Sequence, residues 1–218
     1  MVEIIKTGDG SDTLYVPELD EHYHSVNGAI RESEFIFIEA GFNSCLSNPV
    51  RIFEAGFGTG LNVLLTAIRN LPERRQVYYT SIENFPLPEE IISALNYKDY
   101  VSPQGKQLFD TIHSCEWNTL VKIDEGFYLN KVRGDLESGF ITGSFDLIYY
   151  DAFGPDKQPG MWSDEVIKKI SEHTVKNGIL VTYSAKGEVK RRLIKYGFEV
   201  SLLPGPPGKR QMIRAVKI

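Results

Sequence analysis

The chain has 218 residues, 42% hydrophobic and 24% charged, which fits one ordinary globular domain with room for a small elaboration. No apolar run approaches the ~18 residues of a bilayer span, and the opening "MVEIIKTGDG" lacks the basic-then-apolar pattern of a secretory signal, so a cytoplasmic, non-membrane protein is expected. Two distant cysteines, Cys45 and Cys115, argue against a disulfide scaffold or a thiolate metal site. The net charge of -5 is uneven: residues 181–218 carry nine Lys/Arg against two acids, and the other 180 residues carry -12. A phosphate backbone responds to the local field, so this edge suits either RNA or plain solvation.

In chain order, Leu14-Tyr15-Val16 reads as a short strand, and Asn27-Gly28 in "SVNGAI" predicts a hairpin turn. "SEFIFIEAG" fits a strand or the first turns of a helix. Val50–Glu54 is a short buried strand, followed by a helix from Leu61 to Leu71 that Pro72 should stop. Residues 76–83 form the next strand, and Leu87-Pro88-Glu89-Glu90 opens a helix. "GKQLFDTIHS" is helical, while "EWNTLVKIDEG" gives no clear period. Strands at 127–135, 145–153 and 178–184 follow, with helices at 161–175 and 187–197 between and after the last two. Two closing strands flank "PGPPG". Strands alternating with helices imply a mostly parallel α/β sheet covered on both faces, with an antiparallel pair at one edge.

Gly56, Gly58 and Gly60 follow the Val50–Glu54 strand, where ligands bind in an open parallel sheet. The full G-x-G-x-x-G signature and the P-loop lysine are both absent. A structural turn and a nucleotide-binding turn both fit the glycines alone. Glu83 closes the next strand, where an acid accepts ribose hydroxyls. Asp135 follows the third strand and is placed to accept from an adenine amino group, or is a plain turn residue. Asp151 ends the most hydrophobic strand, where a carboxylate needs solvent or a partner. The segment after it holds Pro155 and Pro159 and ends in Trp162, which fits a pocket wall and helix packing equally well. No GxSxG nucleophile motif and no cluster with metal-ligand spacing occurs, so neither covalent acyl chemistry nor a metal is expected.

Together, "EAGFGTGLN" (54–62), "SIENFPL" (81–87), "DAFGPDKQPGMW" (151–162), "TYSAKGEVKRRL" (182–193), "PGPPGKRQM" (204–212) and "YHSVNGAIRESEFIFI" (23–38) resemble class I methyltransferases that use S-adenosylmethionine. More narrowly, they resemble the methyltransferase half of the bacterial bifunctional tRNA wobble-uridine enzyme and its stand-alone relatives. The resemblance implies a Rossmann-like sheet over 49–218 and a small β-rich elaboration over 1–48 that packs on the core as a possible lid. It implies methyl transfer to the primary amine of 5-aminomethyl-2-thiouridine at the tRNA wobble position. No second oxidase domain fits in 218 residues, so a stand-alone methyltransferase is expected. Where the family often has "DGFAP" and "AKNP", this chain has Asp151-Ala152-Phe153-Gly154-Pro155 and Asp156-Lys157-Gln158-Pro159.

On that resemblance Asp151 positions the acceptor amine. Glu54, Gly56, Gly58, Gly60, Glu83 and Asp135 hold the cofactor. Tyr23 and His24 belong to the lid, and Phe153, Pro155 and Trp162 wall the acceptor. Lys186, Lys209 and Arg210, with Lys190, Arg191, Arg192 and Lys195, reach tRNA phosphates. The acidity of residues 1–180 keeps a second reading open, a methyltransferase or aminopropyltransferase for a small amine without RNA.

Overall fold

The computed structural model describes residues 2–218. Three short strands, β1 (Glu3–Lys6), β2 (Asp12–Val16) and β3 (Glu21–His22), form a small antiparallel sheet ahead of α1 (Ala29–Ser33). The main sheet then alternates with helices through β4 (Val50–Ala55), α2 (Leu61–Glu73), β5 (Val77–Glu83), α3 (Glu89–Ala94) and α4 (Pro103–Ser114). It continues with β6 (Leu120–Asp124), β7 (Phe127–Arg133), β8 (Phe145–Tyr150), α5 (Asp164–His173), β9 (Thr174–Thr182), α6 (Gly187–Lys195), β10 (Phe198–Pro204) and β11 (Gln211–Lys217).

The eight strands lie in the order β10-β11-β9-β8-β4-β5-β7-β6. β9, β8, β4, β5 and β7 are parallel, and β10–β11 is the expected antiparallel hairpin, with β11 inserted against β9. The other edge is also antiparallel: the unreadable stretch before Phe127 forms β6, paired with β7. All six side chains of β8 are buried, as a central strand covered on both faces requires. One face packs Leu61, Leu64 and Leu65 of α2 and Phe109 of α4 together with Leu14, Phe37 and Phe42 from the N-terminal region. The other packs Val166, Ile167 and Ile170 of α5 with Val189 and Leu193 of α6.

The chain starts its helices with polar caps. Ser102 Oγ accepts from the Gly105 amide at 3.2 Å, and Pro103 supplies the first helical position of α4. Ser163 does the same for α5 through Val166. Pro72 does not stop α2 but lies one residue before its end. The hairpin expected at Asn27-Gly28 is replaced by a turn, with Gly28 N–H donating to the Ser25 carbonyl at 3.0 Å and α1 following at once. Asp9 decides this from a distance. Its carboxylate accepts the Arg31 amide at 2.9 Å and lies where a Cβ on Gly28 would be, capping the helix end with an acid. "SEFIFIEAG" accordingly continues as helix to Glu39.

Candidate active site

β4 and β8 are adjacent, and the chain leaves their carboxyl ends toward opposite sides, which opens a crevice there. A cavity of about 670 Å³ occupies it, within the usual range of small-molecule sites. Gly56 and Gly58 line it, and the Gly56 amide donates to the Ile82 carbonyl at 3.0 Å, tying the loop to β5. Gly58 has φ +50, and a Cβ there would lie 3.0 Å from the Tyr23 ring. Only glycine takes that backbone without strain and leaves the peptide open to a ligand. Its amide donates to Glu83 Oε2 at 3.0 Å, and Glu83 Oε1 accepts the Phe85 amide at 2.8 Å. Each oxygen of this carboxylate keeps a lone pair for a further donor.

Gly60 and Glu54 do not line the cavity. Gly60, with φ +71, caps α2, and a Cβ there would meet His113 of α4 at 2.9 Å. Glu54 lies within β4, on the face covered by α2 and the N-terminal region. It is 1% exposed and accepts from Ser81 Oγ at 2.6 Å. Burial pushes its pKa up to about 8, against the Ser81 hydrogen bond. Both residues lie behind the loop rather than in the cavity wall.

Asp151, one residue past β8, lines the cavity floor. Its amide donates to the Ala55 carbonyl at 3.2 Å, and Asn62 Nδ2 donates to its Oδ2 at 2.8 Å. Burial first, then the charge of Glu32, holds its pKa well above the ordinary carboxylate value; the Asn62 bond opposes this. Asn62 Oδ1 is buried with no hydrogen-bond partner, an acceptor left open on a cavity-lining side chain.

Tyr23, Phe153 and Pro155 line the cavity, with the Tyr23 and Phe153 rings edge-to-face at 5.1 Å. Burial and then the Glu83 charge push the Tyr23 hydroxyl up to about 12. His24 lines the cavity with Nε2 2.9 Å from Thr59 Oγ1, and burial lowers its pKa to about 4, which keeps the ring neutral. Asp135 also lines it, accepting the Glu137 amide and the Ser138 hydroxyl, so it is both a turn former and a cavity acid. Trp162 is packing: it is 1% exposed, off the cavity, and donates Nε1–H to the Phe153 carbonyl at 2.7 Å, which fixes that wall.

The basic residues divide. Lys186 pairs with Asp156, Lys195 with Asp164 and Arg192 with Glu188. Lys209 turns away from the outer surface: Nζ lies 2.5 Å from Glu32 Oε1 and 3.9 Å from the centre of the Tyr183 ring. Lys190, Arg191 and Arg210 carry no ion pair among the described residues. Sequence reasoning missed Asn62, Glu32 and Tyr183. A polar residue inside the apolar run "LNVLL" was the one available signal for Asn62.

The cavity fits a cationic nucleoside cofactor. It offers an open glycine backbone, a strand-end acid with spare lone pairs, and seven acids against three lysines in its lining. A family model described as S-adenosyl-L-methionine-dependent methyltransferase matches residues 101–218, more than half of the chain. The chain belongs to this family, with a class I, Rossmann-like sheet and S-adenosyl-L-methionine as its cofactor. The match includes Asp135, Asp151 and Lys209, while the glycine loop and Glu83 precede it.

Within the class, the chain is related to the tRNA 5-methylaminomethyl-2-thiouridine biosynthesis bifunctional protein MnmC. It is 33% identical to that of Campylobacter hominis over 208 residues, covering 93% of this chain and 31% of the relative. It is 31% identical to that of Cupriavidus metallidurans over 231 residues, covering 96% and 33%. The chain thus spans about a third of the length of these curated relatives. The solved structure of MNMC2 from Aquifex aeolicus superposes with a TM-score of 0.79 at 28% identity, covering 99% of this chain and 69% of that one. Spermidine synthase from Thermotoga maritima, at 15% identity and a TM-score of 0.55, shares the fold. Among the described residues no helix is long and apolar enough to cross a membrane.

Proposed function

We propose that this protein transfers a methyl group from S-adenosyl-L-methionine to the primary amine of 5-aminomethyl-2-thiouridine at the tRNA wobble position. The observation that carries the reading is Asp151, a cavity-floor carboxylate beside the glycine loop, with one oxygen held by Asn62 and the other left for a ligand. The relatedness to proteins named for 5-methylaminomethyl-2-thiouridine biosynthesis supports this choice of amine.

The bound cofactor supplies an activated methyl group on a sulfonium. Glu83 would accept the cofactor's ribose hydroxyls and Asp135 its adenine amino group, and Gly56 and Gly58 would let the backbone approach it. The unpartnered Asn62 Oδ1 would accept from the cofactor's ammonium. An alkylamine is protonated near neutral pH and has no lone pair, so it must lose a proton before it can react. Asp151 in its ionised form would take that proton as the amine binds, a step its raised pKa favours, and pass it to water. Ionised again, it would accept an N–H bond and offset the positive charge growing on nitrogen. Tyr23, Phe153 and Pro155 wall the base, and Arg210, Arg191 and Lys190 meet phosphates outside the cavity, with Lys186 released from Asp156. Surface ion pairs such as Lys186–Asp156 are worth ~0–1 kcal/mol and exchange readily for phosphate.

The test is methyl transfer from labelled cofactor to tRNA bearing 5-aminomethyl-2-thiouridine, with unmodified wobble uridine as control. One methyl gained only on the aminomethyl tRNA is the expected outcome. No transfer by a preparation that binds cofactor would sink the reading. The excess of acids in the lining favours one alternative, a small polyamine acceptor without RNA. Methylation or aminopropylation of a free polyamine in the same assay would establish it instead.

A further inference from the structure

Glu32 is a buried carboxylate whose place in the reaction neither the fold nor the relatives assign. It is 6% exposed, yet it lines the cavity. Its Oε2 accepts the Ser25 amide at 2.7 Å. Its Oε1 has no aligned hydrogen bond and is met only by charge, with Lys209 Nζ at 2.5 Å. That ammonium also lies over the Tyr183 ring at 3.9 Å, and Tyr183 is tied by its hydroxyl to the Ala152 carbonyl at 2.9 Å, next to Asp151. A primary ammonium therefore already sits in a cage made of one carboxylate and one aromatic face, at the edge of the Asp151 floor.

We infer that this cage is the acceptor's ammonium subsite, that Glu32 is the residue that selects a cationic acceptor, and that Lys209 is an internal stand-in which the acceptor displaces. This rests on the reading of the acceptor as a primary amine. The physical reason is exchange. A carboxylate this buried is costly once its cation is removed, so Lys209 leaves only when another cation arrives. A neutral group of the same shape cannot take its place. The lysine can leave without moving the loop, because its ammonium rides on a flexible four-carbon stem. It exits beside the exposed Arg210, where it adds to the phosphate-facing charge. Arrival of the tRNA amine and engagement of its backbone are thereby coupled through one side chain. Tyr183 supplies the cation–π face to whichever ammonium is present.

The experiment compares two nucleosides, 5-aminomethyl-2-thiouridine and its neutral isostere 5-hydroxymethyl-2-thiouridine. Both are titrated by calorimetry into the full chain saturated with S-adenosyl-L-homocysteine. The wild type should prefer the amine. Glu32→Gln should reduce that preference at least tenfold while leaving homocysteine-product affinity intact. Lys209→Met should bind the amine at least tenfold more tightly than the wild type, because no competitor remains. In turnover, Glu32→Gln should raise KM for the aminomethyl tRNA more than it lowers kcat. A merely structural Glu32 would weaken both nucleosides alike, which overturns the inference, as does Lys209→Met with unchanged amine affinity. If the wild type methylates aminomethyl tRNA while the preference survives Glu32→Gln, only this inference fails. If the wild type neither binds the amine nor methylates that tRNA, the proposed function fails and the inference goes with it.

Discussion

Replacing Glu54 by glutamine should make the protein more stable, by an amount that depends on pH. In the folded chain the Glu54 carboxyl titrates at about 8, because burial between β4, α2 and β5 disfavours its charge; its ordinary value is 4.5. Below 4.5 the group is protonated in both states and has no effect. Between 4.5 and 8 the unfolded chain releases the proton and the folded chain keeps it, so stability falls as pH rises, by about 1.4 kcal/mol per pH unit. Above 8 the loss levels off near ~5 kcal/mol. A glutamine resembles the protonated acid: its carbonyl can accept the Ser81 hydroxyl now bonded at 2.6 Å, and its amide can face Tyr79. Urea unfolding of both proteins at about pH 5.5 and pH 8.5 reads the difference directly. The advantage of Glu54→Gln should grow by about 3 kcal/mol between those conditions. His24 and His113, each lowered to about 4 by burial, destabilise the fold in the opposite direction as pH falls, but they are common to both proteins and cancel. Because Glu54 lies off the cavity, cofactor affinity should not change. An advantage that stays flat with pH would refute the reasoning, since it would mean that Glu54 ionises normally in the fold.

Four further outcomes test the site. Glu83→Ala removes the acceptor of the Gly58 and Phe85 amides together with the proposed ribose contact, and should raise the cofactor Kd by roughly 10- to 100-fold in calorimetry. Gly58→Ala forces a side chain onto φ +50 against the Tyr23 ring; it should cost about 1–2 kcal/mol in urea unfolding and weaken cofactor binding as well. Asp151→Asn keeps the shape and an acceptor for Asn62, so cofactor binding should persist while kcat falls about 10²- to 10³-fold in single-turnover assays. Charge reversal at Arg191 and Arg210 should raise KM for tRNA and flatten its salt dependence, with cofactor Kd unchanged.

The parallel core was legible because its strands carry unbroken apolar runs and its helices carry apolar faces at helical spacing. Asp151 was legible for the same reason: a carboxylate ending an all-buried strand has few places to go except a crevice. β6 was not legible. Only Ile123 of its five residues is buried, and Leu120, an apolar residue, is exposed, so no alternation marks it as an edge strand. At Asn27-Gly28 the local turn signal lost to a cap delivered by Asp9, which no window around residue 27 contains. Glu54 and Gly60 illustrate a limit of motif reading. The motif suggests four cofactor residues, Glu54, Gly56, Gly58 and Gly60, but strand alternation and the helix start turn Glu54 and Gly60 toward the core. The encounter of Glu32 with Lys209 has no local signature, because it is created by the β10–β11 loop closing on α1. The basic C-terminal stretch looked like an open RNA surface, since the partners of Lys186 and Lys195 lie far away in sequence.

The insertion of β11 between β9 and β10 sets a timetable for a chain emerging from the ribosome. The floor and donor side, from Gly56 through Glu83 to Asp151, can assemble while the remaining residues are still unsynthesised. The wall bearing Lys209 waits for β11, which pairs with β9 on one side and carries β10 on the other. Until then Glu32 lacks its lysine partner, and the side of the cavity that Lys209 lines is unfinished.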